Sequence, residues 1–123
     1  MPRKSPAKPA KASNRRSPCP VACGLDLFGD KWTLLIIRDL ILGRSRFKDF
    51  IESPEGIPTN ILSDRLERLR DGGLVEQIPA ADGSKRLAYQ LTNKGLALRP
   101  VLRAIRDWGL KWEPGTKATM EAA

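Results

Sequence analysis

Two groups of residues have the types and spacing to do chemistry. Cys19 and Cys23 lie four apart around Pro20, with Arg15 and Arg16 just before them. A thiol at a helix start beside arginines favours the thiolate, the form that attacks electrophiles and oxidants, so Cys19 is a candidate sensor. An inert small hydrophobe is the alternative for each cysteine, and more so for Cys23. A disulfide between them is a poor fit if both are helical. The second group lies in "IPTNILSDRLERLRDGG", residues 57–73. Opposite the stripe Leu62, Leu66 and Leu69 stand Thr59, Asn60, Ser63, Asp64, Arg65 and Arg68, with the shortest side chains at the N-terminal end. Short residues let a backbone come close, and a helix N-terminus attracts phosphate. Asn60 has the amide geometry for adenine N6 and N7, and Arg65 the reach for guanine O6 and N7 or a phosphate. An ordinary solvated face is the alternative for this segment taken by itself.

Enzyme chemistry finds little support. The chain has no His, which removes Ser-His and Cys-His nucleophile pairs and most zinc sites. "GLDLFGDKWT", residues 24–33, looks at a glance like a phosphate-binding loop, but Asp30 separates Gly29 from Lys31 and the intervening Leu25, Leu27 and Phe28 belong in a core. No catalytic residue, metal or cofactor is expected. There is no apolar run of membrane-span length and no export signal, so the expected location is the cytoplasm, with no membrane partner.

The elements that must position these residues follow from hydropathy. Residues 20–28 form a short helix with Val21, Ala22, Leu25 and Phe28 on one side, interrupted by Gly29-Asp30. Residues 31–42 are apolar nearly all round, with polar groups only at Lys31, Thr33, Arg38 and Asp39, as in a central buried helix. Phe47, Phe50 and Ile51 mark a helix of under two turns over 45–51, and "ESPEG" turns the chain into the helix 59–71, which Gly72-Gly73 ends. The period then falls to two: 74–78 and 87–91 alternate as a hairpin around an Asp82-Gly83 turn. Thr92 caps a last helix carrying Leu98, Val101, Leu102, Ile105, Trp108 and Trp112 on one stripe, with a bend or a new start at Pro100.

A helix-turn-helix followed by a hairpin with a basic loop is the winged-helix order. The expected fold is α+β, mostly α: a winged helix-turn-helix with a two-stranded hairpin wing and flanking N- and C-terminal dimerisation helices. Lys85 and Arg86 in the wing are candidate phosphate clamps, joined by Arg44, Arg46 and Lys48. Val21 and Leu25 of the first helix, with Leu98, Val101, Leu102, Ile105, Trp108 and Trp112 of the last, are expected to form a two-fold homodimer interface. Closure of the monomer core by both tryptophans is the alternative.

Charge divides the 123 residues. Of 22 Lys+Arg against 14 Asp+Glu, for a net +8, the first 17 residues hold Arg3, Lys4, Lys8, Lys11, Arg15 and Arg16 and no acid. Residues 1–17 are expected to be a disordered basic tail that either lies along phosphate or solubilises the chain. The DNA-binding domain is then 18–112, and 113–123 a flexible tail.

These segments resemble the HxlR-type family of bacterial winged-helix regulators, which is MarR-like. The resemblance runs from "CPVACGLDLFGDKWTLLIIRDLILGRSRFKDF" through "GIPTNILSDRLERLRDGGLVE" to "YQLTNKGLALRPVLRAIRDWG". It implies a homodimer through the first and last helices, a reading helix at 59–71 and a wing at 79–86. It also implies a thiol at Cys19 able to sense a small electrophile or oxidant. Family members often carry Lys where this chain has Asn60, which points to a different operator preference. The expected function is a sequence-specific double-stranded DNA-binding repressor acting on an inverted repeat. The competing reading is a winged-helix protein-interaction module.

Overall fold

The computed structural model describes residues 15–80, 83 and 86–117. Six helices and one hairpin follow in the order α1 (Pro20–Phe28), α2 (Thr33–Ile41), α3 (Phe47–Ile51), α4 (Thr59–Asp71), β1 (Val75–Pro79), β2 (Leu87–Leu91), α5 (Asn93–Leu96) and α6 (Arg99–Trp112). This is the winged-helix order. The core gathers Ile36 and Ile37 of α2, Phe50 of α3, Leu62, Leu66 and Leu69 of α4, Leu74 and Val75, and Leu98 and Leu102. Phe50 meets Tyr89 of β2 edge-on, with ring centroids 6.3 Å apart.

The strands pair antiparallel, with Val75 opposite Leu91 and Pro79 opposite Leu87. A third short segment joins them: the Tyr89 N–H donates to the Ser45 carbonyl at 2.9 Å, and Arg46 bridges to Ala88. The wing is thereby fastened to the chain entering α3. Thr92 caps α5, accepting from the Gly95 N–H at 3.2 Å and donating to the Gly73 carbonyl. Gly95 is required by close approach, because a Cβ there would lie 2.2 Å from the Leu74 carbonyl oxygen. Pro100 marks a new start: the chain breaks after Leu96 and resumes as α6 with proline in its first turn.

In α2 the polar residues are the buried ones: Thr33, Arg38 and Asp39 join Ile36 and Ile37 inside, while Leu34, Leu35, Leu40 and Ile41 are half-buried. Arg38 lies inside because it is matched. Its guanidinium forks onto Glu55 at 2.8 and 2.9 Å and donates to Asp39 at 2.9 Å, and Asp39 also accepts from Arg44 at 2.8 Å and from Ser53. The hydrogen bonds to Glu55, helped by Asp39, outweigh desolvation and raise the Arg38 pKa; the same fork holds the Glu55 carboxyl below its ordinary range. The network ties α2 to the turn that launches α4.

Both ends of the described chain carry local side-chain contacts. Residues 113–117, expected as tail, include a turn that closes α6, with Thr116 Oγ1 donating to the Glu113 carbonyl at 2.8 Å. At the other end Arg16 pairs with Asp26 at 2.6 Å, and Ser17 accepts from the Cys19 N–H at 3.0 Å and from the Cys23 thiol at 3.3 Å. Residues 1–14 and 118–123 lie outside the described residues.

Candidate nucleic-acid interface

α4 is anchored by Leu62, Leu66 and Leu69, each almost wholly buried. Their spacing turns the opposite side of the helix to solvent. Pro58 precedes the helix with extended backbone and offers no side-chain cap, and the first turn carries no acid. The opening N–H groups of α4 are therefore left for an outside acceptor. Around them Thr59, Asn60 and Ser63 are exposed, and among the described residues no hydrogen bond engages their side chains. Further along, Asp64 and Arg68 are exposed and face each other at 3.9 Å, too long to commit Arg68, while the same Asp64 oxygen accepts from Arg65.

Arg65 is placed otherwise than expected. Its Nε donates to Asp30 Oδ2 at 2.8 Å, a second nitrogen pairs with Asp64, and the side chain is only 18% exposed. Asp30 meanwhile accepts from the Trp32 and Thr33 N–H groups at 3.0 and 3.2 Å and from the Thr33 hydroxyl, so it serves as the cap at the entry to α2. Desolvation works to raise the Asp30 pKa, but the Thr33, Arg65 and Trp32 hydrogen bonds and the Arg65 charge prevail and lower it to about 2. In the chain without DNA, Arg65 is thus a strut between α4 and the α1–α2 corner. Gly29-Asp30 had been legible only as a break.

The expected phosphate clamps divide. Lys48 is exposed on α3. Arg44 is anchored by Asp39, with its side chain still 42% exposed. Arg46 sits beside β2, where its N–H and that of Ser45 donate to Asp49 at 2.9 and 3.1 Å and hold that carboxyl below its ordinary range. Arg86 is exposed at the start of the returning strand, its carbonyl accepting from the Ala80 N–H at 3.2 Å. Lys85 lies outside the described residues.

The apolar faces also divide. α1 buries none of its residues, and Val21 and Leu25 are exposed. On α6, Ile105, Trp108 and Trp112 are exposed, the tryptophans at 60% and 59%, so closure of the chain's own core by the two indoles is ruled out. Leu98 and Leu102, expected at the interface, are instead 8% and 6% exposed in the chain's own core, and Val101 packs against that core. Such residues have little area left to give a partner. Cys19 is exposed at the N-cap of α1.

Comparison with known proteins places these features among regulators. The HxlR-like helix-turn-helix model matches residues 27–117. The HTH-type transcriptional regulator YodB of Bacillus subtilis is 33% identical over 99 residues, covering 79% of this chain and 88% of YodB. Its reduced form superimposes with a TM-score of 0.66, covering 80% of this chain and 98% of that one, and YodB has also been solved quinone-bound and diamide-treated. The crystal structure of PA1607 gives a TM-score of 0.77 at 42% identity, over 86% of this chain and 75% of that one. The reduced form of the redox regulator HypR gives 0.68 at 28% identity, over 76% and 92%. Among the described residues no helix is long and apolar enough to cross a membrane.

Proposed function

The chain belongs to the HxlR-like helix-turn-helix family of transcriptional regulators, and from that premise we propose that it is a sequence-specific repressor binding double-stranded DNA. It acts as a homodimer on an inverted-repeat operator in the cytoplasm. The observation that carries this reading is the start of α4: Thr59, Asn60 and Ser63 stand exposed and unengaged around an uncapped helix N-terminus, on a helix whose other side is locked into the core. A major groove needs that combination of close approach, open donors and rigidity. Asn60 and Ser63 meet base edges, Arg68 meets a base or a phosphate, Asp64 accepts from a base amine such as cytosine N4, and Lys48, Arg44, Arg46, Lys85 and Arg86 meet phosphates on either side.

Dimerisation rests on the stripe Ile105, Trp108 and Trp112 together with Val21 and Leu25 of α1, a helix that packs Phe28 against its own core but leaves Val21 and Leu25 exposed. An isolated nine-residue helix is marginal in water, and a partner's apolar face gives it a reason to persist. Two copies would set their reading helices about 34 Å apart, one turn of DNA. Cys19, exposed at the start of that helix, is the effector site for a small electrophile or oxidant, which fits the quinone-bound and diamide-treated forms of YodB.

Fluorescence anisotropy of a mixed-sequence duplex, titrated with the full chain over a range of salt, tests the first claim. Binding that weakens steeply and log-linearly with salt is expected. Salt-independent or undetectable binding would favour the protein-interaction module instead.

A further inference from the structure

A groove lies between the end of α2, the hairpin and the α5–α6 junction, with a cavity volume of about 340 Å³. Apart from Arg44, none of its lining residues belongs to the proposed DNA-reading or dimer faces. Leu40 and Ile41 of α2, Ile78 and Leu91 of the hairpin and Leu96 of α5 give it apolar walls. Arg99 enters it from the first turn of α6, and Arg99 Nε is buried with no hydrogen-bond partner. Buried donors nearly always find an acceptor, and one attached to a cation calls for an anionic one.

The groove does not supply that acceptor. No Asp or Glu lines it. Arg44 at its edge is already paired with Asp39 at 2.8 Å, and the Gln90 amide donates to Glu76 at 2.6 Å. Among the described residues Arg99 Nε is therefore left unmatched in a site where Leu40, Ile41, Ile78, Leu91 and Leu96 supply the apolar walls and whose volume suits a small organic molecule. Inorganic phosphate fits poorly, because it needs several donors and gains nothing from five aliphatic walls.

We propose that this groove binds a small monoanionic carboxylic acid with an apolar body. The carboxylate accepts from Arg99, and an aromatic ring or short alkyl chain lies against Leu40, Ile41, Ile78, Leu91 and Leu96. One wall is the hairpin itself and another the start of α6, so an occupant touches both the wing and the helix that bears Trp108. Any effect on operator affinity rests on the proposed DNA reading, whereas binding itself does not.

The test is calorimetric or NMR titration of the full chain, without DNA, using benzoate and its neutral isostere benzamide as probes. Benzoate is expected to bind at least about tenfold tighter than benzamide, since only the anion satisfies the arginine. Arg99→Gln should remove that preference. Leu96→Glu, at a 40% exposed lining position three residues before Arg99, should compete for the arginine and repel benzoate, weakening it by about tenfold or more without entering the core. Circular dichroism and thermal unfolding check that each variant folds, and Leu96→Glu keeps the test decisive if Arg99→Gln does not. The proposal is overturned if benzoate fails to bind, as when a second copy fills the groove, or if benzamide binds equally well. It is equally overturned if both folded variants keep wild-type affinity, or if inorganic phosphate displaces benzoate at matched concentration.

Discussion

Replacing Arg65 with Met keeps the length and most of the volume of the side chain and removes the strut between α4 and Asp30. The cost can be worked from the Asp30 carboxyl, lowered from 3.8 to about 2. At about 1.4 kcal/mol per unit, that shift corresponds to roughly 2 to 3 kcal/mol of stabilisation from all its partners together. Arg65 shares it with the Thr33 hydroxyl and the Trp32 N–H, and solvent screens a partly exposed pair, so its own share is about 1 kcal/mol. The sign follows from the direction of the shift. A carboxyl with a depressed folded pKa stabilises the fold above about pH 4 and loses that contribution as pH falls through about 2. Urea unfolding at fixed protein concentration should therefore find Arg65→Met about 1 kcal/mol less stable than the parent near pH 7. The difference should close as the pH approaches 2. Operator selectivity should survive in the folded variant. Unchanged stability with lost discrimination at one base pair would refute the strut and return Arg65 to the reading face.

Four further outcomes follow from the geometry. Asn60→Ala should cost about 1 to 3 kcal/mol on the selected operator and relax discrimination there, and an equal loss on random DNA would make Asn60 a backbone contact. Lys85→Ala with Arg86→Ala should weaken binding to every sequence and flatten the salt slope by about two units; an unchanged slope removes the wing from the phosphate contacts. Trp108→Glu, at an exposed position, should yield a folded monomer by analytical ultracentrifugation and raise the dimer Kd by about a hundredfold or more. A dimer of parental affinity would locate the interface elsewhere. Cys19→Ser should bind DNA normally and ignore diamide and quinones; retained sensitivity would turn attention to Cys23.

Much of this fold is readable from residue patterns. The bounds of α4 follow from its leucine spacing and the Gly72-Gly73 stop, the hairpin from a change of period, and the restart at α6 from Pro100. What periodicity hides is pairing. Arg38 and Asp39 read only as polar interruptions of a buried helix, and the sequence does not show that Glu55, Ser53 and Arg44 come from other positions to satisfy them. Arg65 has the right place on α4 to read a base, and only the fold brings Asp30 within 2.8 Å of it. A stripe likewise says that a helix is buried on one side, not against what. Leu98 and Leu102 turn into their own core while Trp108 and Trp112 run past it. Arg99 carried no signal at all, because one arginine at a helix start is common; its unmatched burial is the distinguishing fact.

The central claim is that two exposed α4 faces, joined through α1 and α6, read an inverted repeat. Selection of bound sequences from a random duplex pool by the full chain, with and without diamide, tests it most directly. The account predicts enrichment of a two-fold symmetric site whose half-sites lie about 10 base pairs apart centre to centre, and loss of that enrichment with diamide. Enrichment of a single asymmetric half-site, or of nothing beyond the starting pool, would contradict it.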